Sequence, residues 1–481
     1  MHDRAKPELD HAIQLMRTGR SAEAAHVLEG LAASEESVGR VHALYLEVLT
    51  ATDRKRALEV LDRTVQLPTD DADAFDALAF FARQLDRHEL SRDLYEKASK
   101  RAPNDAQIWY NFATSERALG RLAEAGGACN HALTLQPDYR PALLLRSEMN
   151  RATPSDNNVE DLRSRLASAP QGPDSMYLQY ALGKELHELG RYDEAFEAFK
   201  SGANARRRCL RYDVSEDENK LRRIAEVFAA GAAPPPAVQP GRNIFIIGLP
   251  RSGTTLTERI VGGLAGVRSN NETNNFSTAL LRFSPSEGRD VFERAAKADY
   301  ANVAREYDAL AAADGFAGKI IEKLPFNYLY VGPILRAFPA TPIIWVRRDP
   351  IDSCFAMFRT LFGAAYPFSY DFEELARYYA AYHRLMQHWV RIYPGQVTTV
   401  DYEELVASPD AVGQHLADSC GLTWRADAVD IARNKSASLT ASAAQVRSGI
   451  YSSSSGLWRK YREHLRPLAD HLKANGIETQ T

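Results

Sequence analysis

The sequence predicts a helical array joined to an α/β domain with a mostly parallel sheet. Three observations carry that reading. The first half repeats with a 34-residue period, residues 229–241 are rich in Pro, Ala and Gly, and an apolar strand, a glycine-bearing loop and a helix follow at once. They divide the 481 residues into a helical domain at 1–228, a linker at 229–241 and an α/β domain at 242–481. That length gives each domain a full core. With 45% hydrophobic and 25% charged residues, collagen-like and wholly disordered classes are excluded. The net charge of −4 argues against broad binding to nucleic acid or to an anionic membrane surface. No run approaches the ~20 apolar residues of a membrane span, and the opening MHDRAKPELD lacks the apolar core of a secretory signal. Cys129, Cys209, Cys354 and Cys420 stand far apart, without CxxC or CxH spacing. This argues against a zinc site or disulfide frame and suits a reducing cytoplasm.

The repeats come first in the chain. Residues 106–139 carry Trp109, Leu119, Gly120, Ala125, Ala128, Ala132 and Pro137, and residues 72–105 place Phe75, Leu85, Asp86, Leu94, Ala98 and Pro103 at the same offsets. A third unit has Leu189, Gly190, Tyr192, Ala195, Ala198 and Phe199 in register, and a weaker one opens the chain with Gly19, Ala24 and Leu28. Ala125 and Ala128 let two antiparallel helices approach closely, Gly120 serves the turn between them, and Pro103 and Pro137 end the second helix of each unit. One such pair cannot bury its apolar face alone, so the units are expected to stack around a concave groove. The pattern resembles the tetratricopeptide repeat. The resemblance implies a surface for peptide or protein segments, or for self-association.

After the linker, Ile244–Ile247 reads as a buried parallel strand. Gly248-Leu-Pro-Arg-Ser-Gly253-Thr254-Thr255 follows, and then a helix with Leu256, Ile260 and Leu264 on one face. A strand, a tight loop and a helix start present backbone N–H groups to an anion. The glycine spacing is that of a Walker A loop, but Thr254 stands where its lysine belongs and the positive charge is Arg251, inside the loop. Nucleoside triphosphate chemistry also needs a carboxylate at another strand's end to hold Mg²⁺. The next candidate strand, within 342–350, ends instead in Arg347 and Arg348, which suit a phosphate monoester better.

The PRSGTT segment resembles the 5′-phosphosulfate loop of sulfotransferases, most closely that of tyrosylprotein sulfotransferases and of bacterial proteins that join tetratricopeptide repeats to a sulfotransferase domain. The resemblance implies 3′-phosphoadenosine 5′-phosphosulfate (PAPS) as donor and no metal. It assigns Arg251, Ser252, Gly253, Thr254 and Thr255 to the 5′-phosphosulfate, Arg348 to the 3′-phosphate and Tyr402 to the neighbourhood of the adenine. Arg447, Tyr451 and the serines at 452–455 match a segment that closes over the nucleotide in the family. Ala356 departs from the family's usual serine, and Ser353 lies close by in a different register.

Sulfuryl transfer to a hydroxyl needs a base for the acceptor proton and a cation for the oxygen that leaves. By resemblance Glu272, 21 residues beyond Arg251, is the base, and Lys323, in a lysine-x-proline element after the strand at Ile320 and Ile321, serves the leaving oxygen. Arg251 joins them as the third catalytic candidate. His383 and His388 sit in an aromatic-rich helical stretch and read as packing, while the loop 362–370 is a candidate acceptor gate. The leading acceptor is a protein or peptide tyrosine held by the repeat groove. A glycan or small-molecule hydroxyl is the rival, and a nucleotide-binding scaffold without catalysis is the alternative of a different class. The resemblance and the cysteines together imply a bacterial cytoplasmic enzyme.

Overall fold

The computed structural model describes residues 2–34, 38–168, 172–229, 241–312, 315–363, 365–431 and 455–479. The chain forms two compact units that divide between Ala142 and Leu143. The division lies upstream of the stretch at 229–241, of which 230–240 lie outside the described residues. Among the described residues no helix is long and apolar enough to cross a membrane.

The first unit consists of helical hairpins. Their helices are His2–Arg17 with Ser21–Ala33, Arg40–Thr52 with Arg54–Thr64, Ala72–Gln84 with His88–Arg101, and Ala106–Leu119 with Leu122–Leu135. Ala125, Ala128 and Ala132 are buried where the last pair meets, as small residues at a close helix crossing should be. Gly120 turns that hairpin in the left-handed region (φ 79°), and Asp86 takes the same conformation (φ 60°) at the matching position one repeat earlier. Arg54 steadies that turn through a 2.6 Å bond to the Asp86 carboxylate. Successive hairpins are tied by Arg92, whose Nε donates to the fully buried Glu116 at 2.8 Å. The hairpin at 40–64 carries no glycine in its turn. Asp53 alone separates its helices and caps the second by accepting from the Arg56 amide, so the 34-residue signature passes over it.

The second unit is built on five parallel strands: β1 (Asn243–Ile247), β2 (Val267–Ser269), β3 (Lys319–Glu322), β4 (Ile343–Arg347) and β5 (Val397–Asp401). Their order is β2-β3-β1-β4-β5, and every pairing is parallel. Alternation along β1 sends Ile244 and Ile246 into a core with Leu256, Ile260, Leu405 and Leu416. Phe245 meets Phe276 and Tyr307 edge-on or tilted at 5.6–5.9 Å on the opposite face. With both faces covered, β1 is apolar from Ile244 to Ile247. The chain runs from β1 out to the β2 edge, returns through β3 and then crosses to β4. This reversal opens a crevice at the C-terminal end of β1.

Helices that precede the sheet in sequence belong to this unit too. From Ser175–Glu188, Tyr180 donates its hydroxyl to the Phe358 carbonyl at 2.9 Å. From Tyr192–Arg207, Arg207 forms a bidentate pair with Glu374 at 2.6 and 2.7 Å. From Val214–Val227, Glu218 pairs with Arg377 at 2.6 Å, and the Phe228 ring just beyond packs on Trp389. Glu374, Arg377 and Trp389 all lie on the long helix Phe372–Ile392.

Candidate functional site

The loop after β1 passes residues 248–253 and enters the helix Thr254–Gly262. Arg251 (φ 67°) and Gly253 (φ 108°) both bend the backbone into the left-handed region. A Cβ at Gly253 would collide with the Tyr402 ring, so only glycine fits there. Ser252 is 2% exposed, and its hydroxyl has no hydrogen-bond partner among the described residues. A buried polar group without a partner is costly unless a ligand satisfies it, and this one lies in a loop shaped for anions. Thr254 and Thr255 are buried in the first turn behind it.

Arg348, just past β4, is also buried. Its guanidinium lies 4.9 Å from the centre of the Tyr402 ring, and its Nη1 donates to the Arg251 carbonyl at 3.2 Å. Tyr402 is thus packed between Gly253 and Arg348 and braces both. Arg251, Ser252, Gly253, Thr254, Thr255, Arg348 and Tyr402 are brought together here, whereas Arg447 and Tyr451, with 452–454, lie outside the described residues.

A cavity of about 560 Å³ opens at the ends of β4 and β5, lined among others by Ser252, Arg348, Ser353, His383, Gly456 and Arg459. Several carboxylates line it as well, and three of them accept hydrogen bonds from within the protein. Asp349 accepts from the Asp352 amide at 2.9 Å, Glu403 from the Asp349 amide at 3.1 Å, and Asp401 from Arg347 at 2.8 Å. Ser353 lines the cavity and Ala356, one helical turn on, does not. Of the two histidines read as packing, His388 bonds the Phe228 carbonyl at 3.0 Å, while His383 borders the cavity.

On the other side of the loop, β3 delivers Lys323 to a carboxylate pair. Its Nζ is ion-paired with Glu272 and lies 3.7 Å from Glu258 on the helix that follows the loop. Lys323 is 1% exposed and the Glu272 side chain 38%, so the pair presents its carboxylate outward. Burial pulls the Lys323 ammonium down, but Glu258 and Glu272 outweigh it and leave the ammonium above its ordinary value. The Lys323 amide donates to the Asn271 carbonyl at 3.0 Å, which holds the loop bearing Glu272 against the end of β3. Tyr366, in the aromatic loop, stacks on Phe326 at 4.8 Å. Burial and then the Glu272 charge hold its phenol above the ordinary range.

Glu322, which the sequence reading passed over, is fully buried next to Lys323. It accepts from Asn327 Nδ2 at 2.9 Å and from the Thr273 hydroxyl at 3.2 Å, and burial pushes it up to about 7. A carboxylate at the end of a strand, directly after the apolar Ile320 and Ile321, was the signal that could have found it.

Residues 243–426 match the sulfotransferase family, and residues 177–208 match the tetratricopeptide repeat. The α/β domain is therefore similar to that family. The sulfotransferase match spans all five strands, the phosphate loop, Glu272, Lys323, Arg348 and Tyr402. An uncharacterized protein of Aquifex aeolicus (strain VF5) is 28% identical in a 403-residue alignment that covers 79% of this chain. The chain spans about half the length of that relative, 52%. Among solved structures, the sulfotransferase domain from the curacin biosynthetic pathway aligns over 51% of this chain and all of its own (15% identity, TM-score 0.34). A sulfotransferase from Alicyclobacillus acidocaldarius aligns over 50% of this chain and 96% of its own (17% identity, TM-score 0.29). MamA aligns over 42% of this chain and 97% of its own (16% identity, TM-score 0.27).

Proposed function

We propose that the protein transfers a sulfuryl group from PAPS to an acceptor hydroxyl, with Glu272 as base and Lys323 as the cation at the leaving oxygen. The observation that carries this reading is the placement of two different chemistries on the two sides of one phosphate loop. The cation-bearing cavity with Arg348 and Ser353 adjoins β4 and β5, and the Lys323–Glu272 pair adjoins β2 and β3. A donor with its 3′-phosphate at Arg348 and its phosphosulfate on Arg251, Ser252, Gly253, Thr254 and Thr255 points its sulfur toward that pair. The acceptor oxygen then attacks sulfur in line as its proton passes to Glu272. The bond from sulfur to the bridging oxygen breaks, and adenosine 3′,5′-bisphosphate leaves with the new charge on that oxygen, beside the Lys323 ammonium.

A protein or peptide tyrosine is the acceptor favoured here, since the resemblance is closest to tyrosylprotein sulfotransferases and the aromatic loop with Tyr366 flanks Glu272. The repeats of the first unit would hold the segment around it, and Arg447 and Tyr451 would close over the donor. A glycan or small hydroxyl compound would use the same machinery. A scaffold that only binds nucleotide has no use for the Lys323–Glu272 pair. The free cysteines support a reducing, cytoplasmic setting. Thermal unfolding tests the donor: adenosine 3′,5′-bisphosphate should raise the Tm well above ATP with Mg²⁺ at equal concentration, and the excess should vanish in Arg348→Ala. Equal stabilisation by ATP would refute the donor assignment.

A further inference from the structure

Asp352 lies two residues into the helix Pro350–Phe358 and is almost wholly buried. Both of its carboxylate oxygens are spoken for. Oδ2 accepts the Gly456 amide at 2.5 Å and lies 3.8 Å from the Arg348 guanidinium, and Oδ1 accepts the Trp458 amide at 2.9 Å. Two backbone N–H groups more than 100 residues away in sequence thus converge on the carboxylate that also faces Arg348. Gly456 adopts φ 69° at this point, with the Arg459 guanidinium packed where a Cβ would stand. Ser455, Gly456, Trp458 and Arg459 then form part of the cavity wall that Arg348 and Ser353 share. The same segment is buttressed from behind by the helical hairpin 175–207: His187 bonds the Tyr461 hydroxyl at 2.7 Å, and Tyr192 accepts from Lys460 at 2.9 Å.

We propose that Asp352 is a positioning residue of the donor site, fixing Arg348 and the returning segment Gly456–Arg459 together so that the two walls of the cavity match one 3′-phosphate. The proposal rests on the donor reading above. Charge and position predict opposite outcomes for its removal. A buried carboxylate 3.8 Å from Arg348 opposes an incoming phosphate by simple Coulomb repulsion, so its neutralisation alone would tighten phosphate binding. If the carboxylate instead holds both walls in register, its neutralisation leaves one backbone amide without an acceptor, frees Arg348 to swing, and weakens binding.

Calorimetric titration of the full-length protein with adenosine 3′,5′-bisphosphate and with adenosine 5′-phosphate separates these outcomes. The Kd for adenosine 5′-phosphate divided by the Kd for adenosine 3′,5′-bisphosphate reads the 3′-phosphate alone, and a general loss of fold moves both together. In Asp352→Asn that ratio should fall about tenfold from the wild-type value. Gly456→Ala, which disturbs the seat from the opposite wall and leaves Asp352 intact, should lower it in the same direction. An unchanged or larger ratio in Asp352→Asn overturns the positioning role. If that variant does not fold, an unchanged ratio in Gly456→Ala overturns it instead. Wild-type protein with equal affinity for both nucleotides overturns the donor reading itself, and this proposal with it.

Discussion

Ser252 buries a hydroxyl that nothing in the described protein satisfies, at the point where the backbone cradle is tightest. Its loss should therefore cost the fold little and the ligand much. In Ser252→Ala the Tm without nucleotide should hold or rise slightly, because no hydrogen bond is broken and one desolvated group disappears. Affinity for adenosine 3′,5′-bisphosphate should fall by about 1.5–3 kcal/mol, roughly 10–150-fold, the range for one hydrogen bond to a charged partner. A Tm drop with unchanged affinity would make Ser252 a packing residue. The loop residues were legible because their spacing after an apolar strand has one common use. Tyr402 was legible by position only. The resemblance sets it near an adenine, and its ring also braces Gly253 and Arg348, a long-range packing relation that no local pattern records. His383 was read as packing because its helix is rich in core aromatics, yet its ring borders the cavity.

At the scale of elements, the end of β3 couples charge to the loop that carries Glu272. Glu322 titrates near 4.5 when exposed and is lifted to about 7 by burial in the fold. As pH rises through this window the unfolded chain releases its proton first, so the native state loses stability between about pH 4.5 and 7. The loss is of order 3 kcal/mol. Glu322→Gln removes it. Measured by denaturant unfolding, the variant should gain on wild type by that order between pH 5 and pH 8. A constant difference across pH would mean that Glu322 stays ionised in the fold. The buried character of this carboxyl has no local signature, because only Ile320 and Ile321 mark β3 as a strand. What gives the carboxyl its character is the approach of Thr273 and Asn327 from two other segments.

The helices at 175–227 raise the same question of reach. Read alone, they continue the repeats, and Gly190 with Ala195, Ala198 and Phe199 keeps the register. In the fold their Tyr180, Arg207, Glu218 and the following Phe228 bind the α/β domain. Sequence period reports what a helix pair looks like and not which neighbour covers its outer face. A chain beginning at Arg242 would expose the surface covered by Tyr180, by Phe228 and by Phe196, whose ring stacks on Phe358. At about 1.5–3 kcal/mol for each large side chain unburied, the sum is comparable with the ~5–15 kcal/mol stability of a whole domain. That chain should aggregate or melt well below wild type in calorimetry, whereas one beginning at Leu143 should melt cooperatively. Equal melting of both would show that the helices are ornamental to the domain.

For the molecule as a whole, the two-part plan of repeats and a parallel α/β domain could be read from the sequence, because periodicity, glycine loops and apolar strands are local signals. The strand order, the division at Ala142 and Leu143 and the wall contributed by Gly456–Arg459 depend on contacts across hundreds of residues. The central claim is that this scaffold moves a sulfuryl group from PAPS by means of Glu272. Its most direct test is transfer of label from radiolabelled PAPS to a hydroxyl acceptor, drawn from peptide, glycan and small-molecule pools, by wild type and Glu272→Gln side by side. The account predicts labelled ester with wild type, and a rate roughly 10²–10⁴-fold lower in the variant with nucleotide affinity retained. Equal transfer by both proteins, or no transfer to any pool by a wild type that binds the donor, would contradict it.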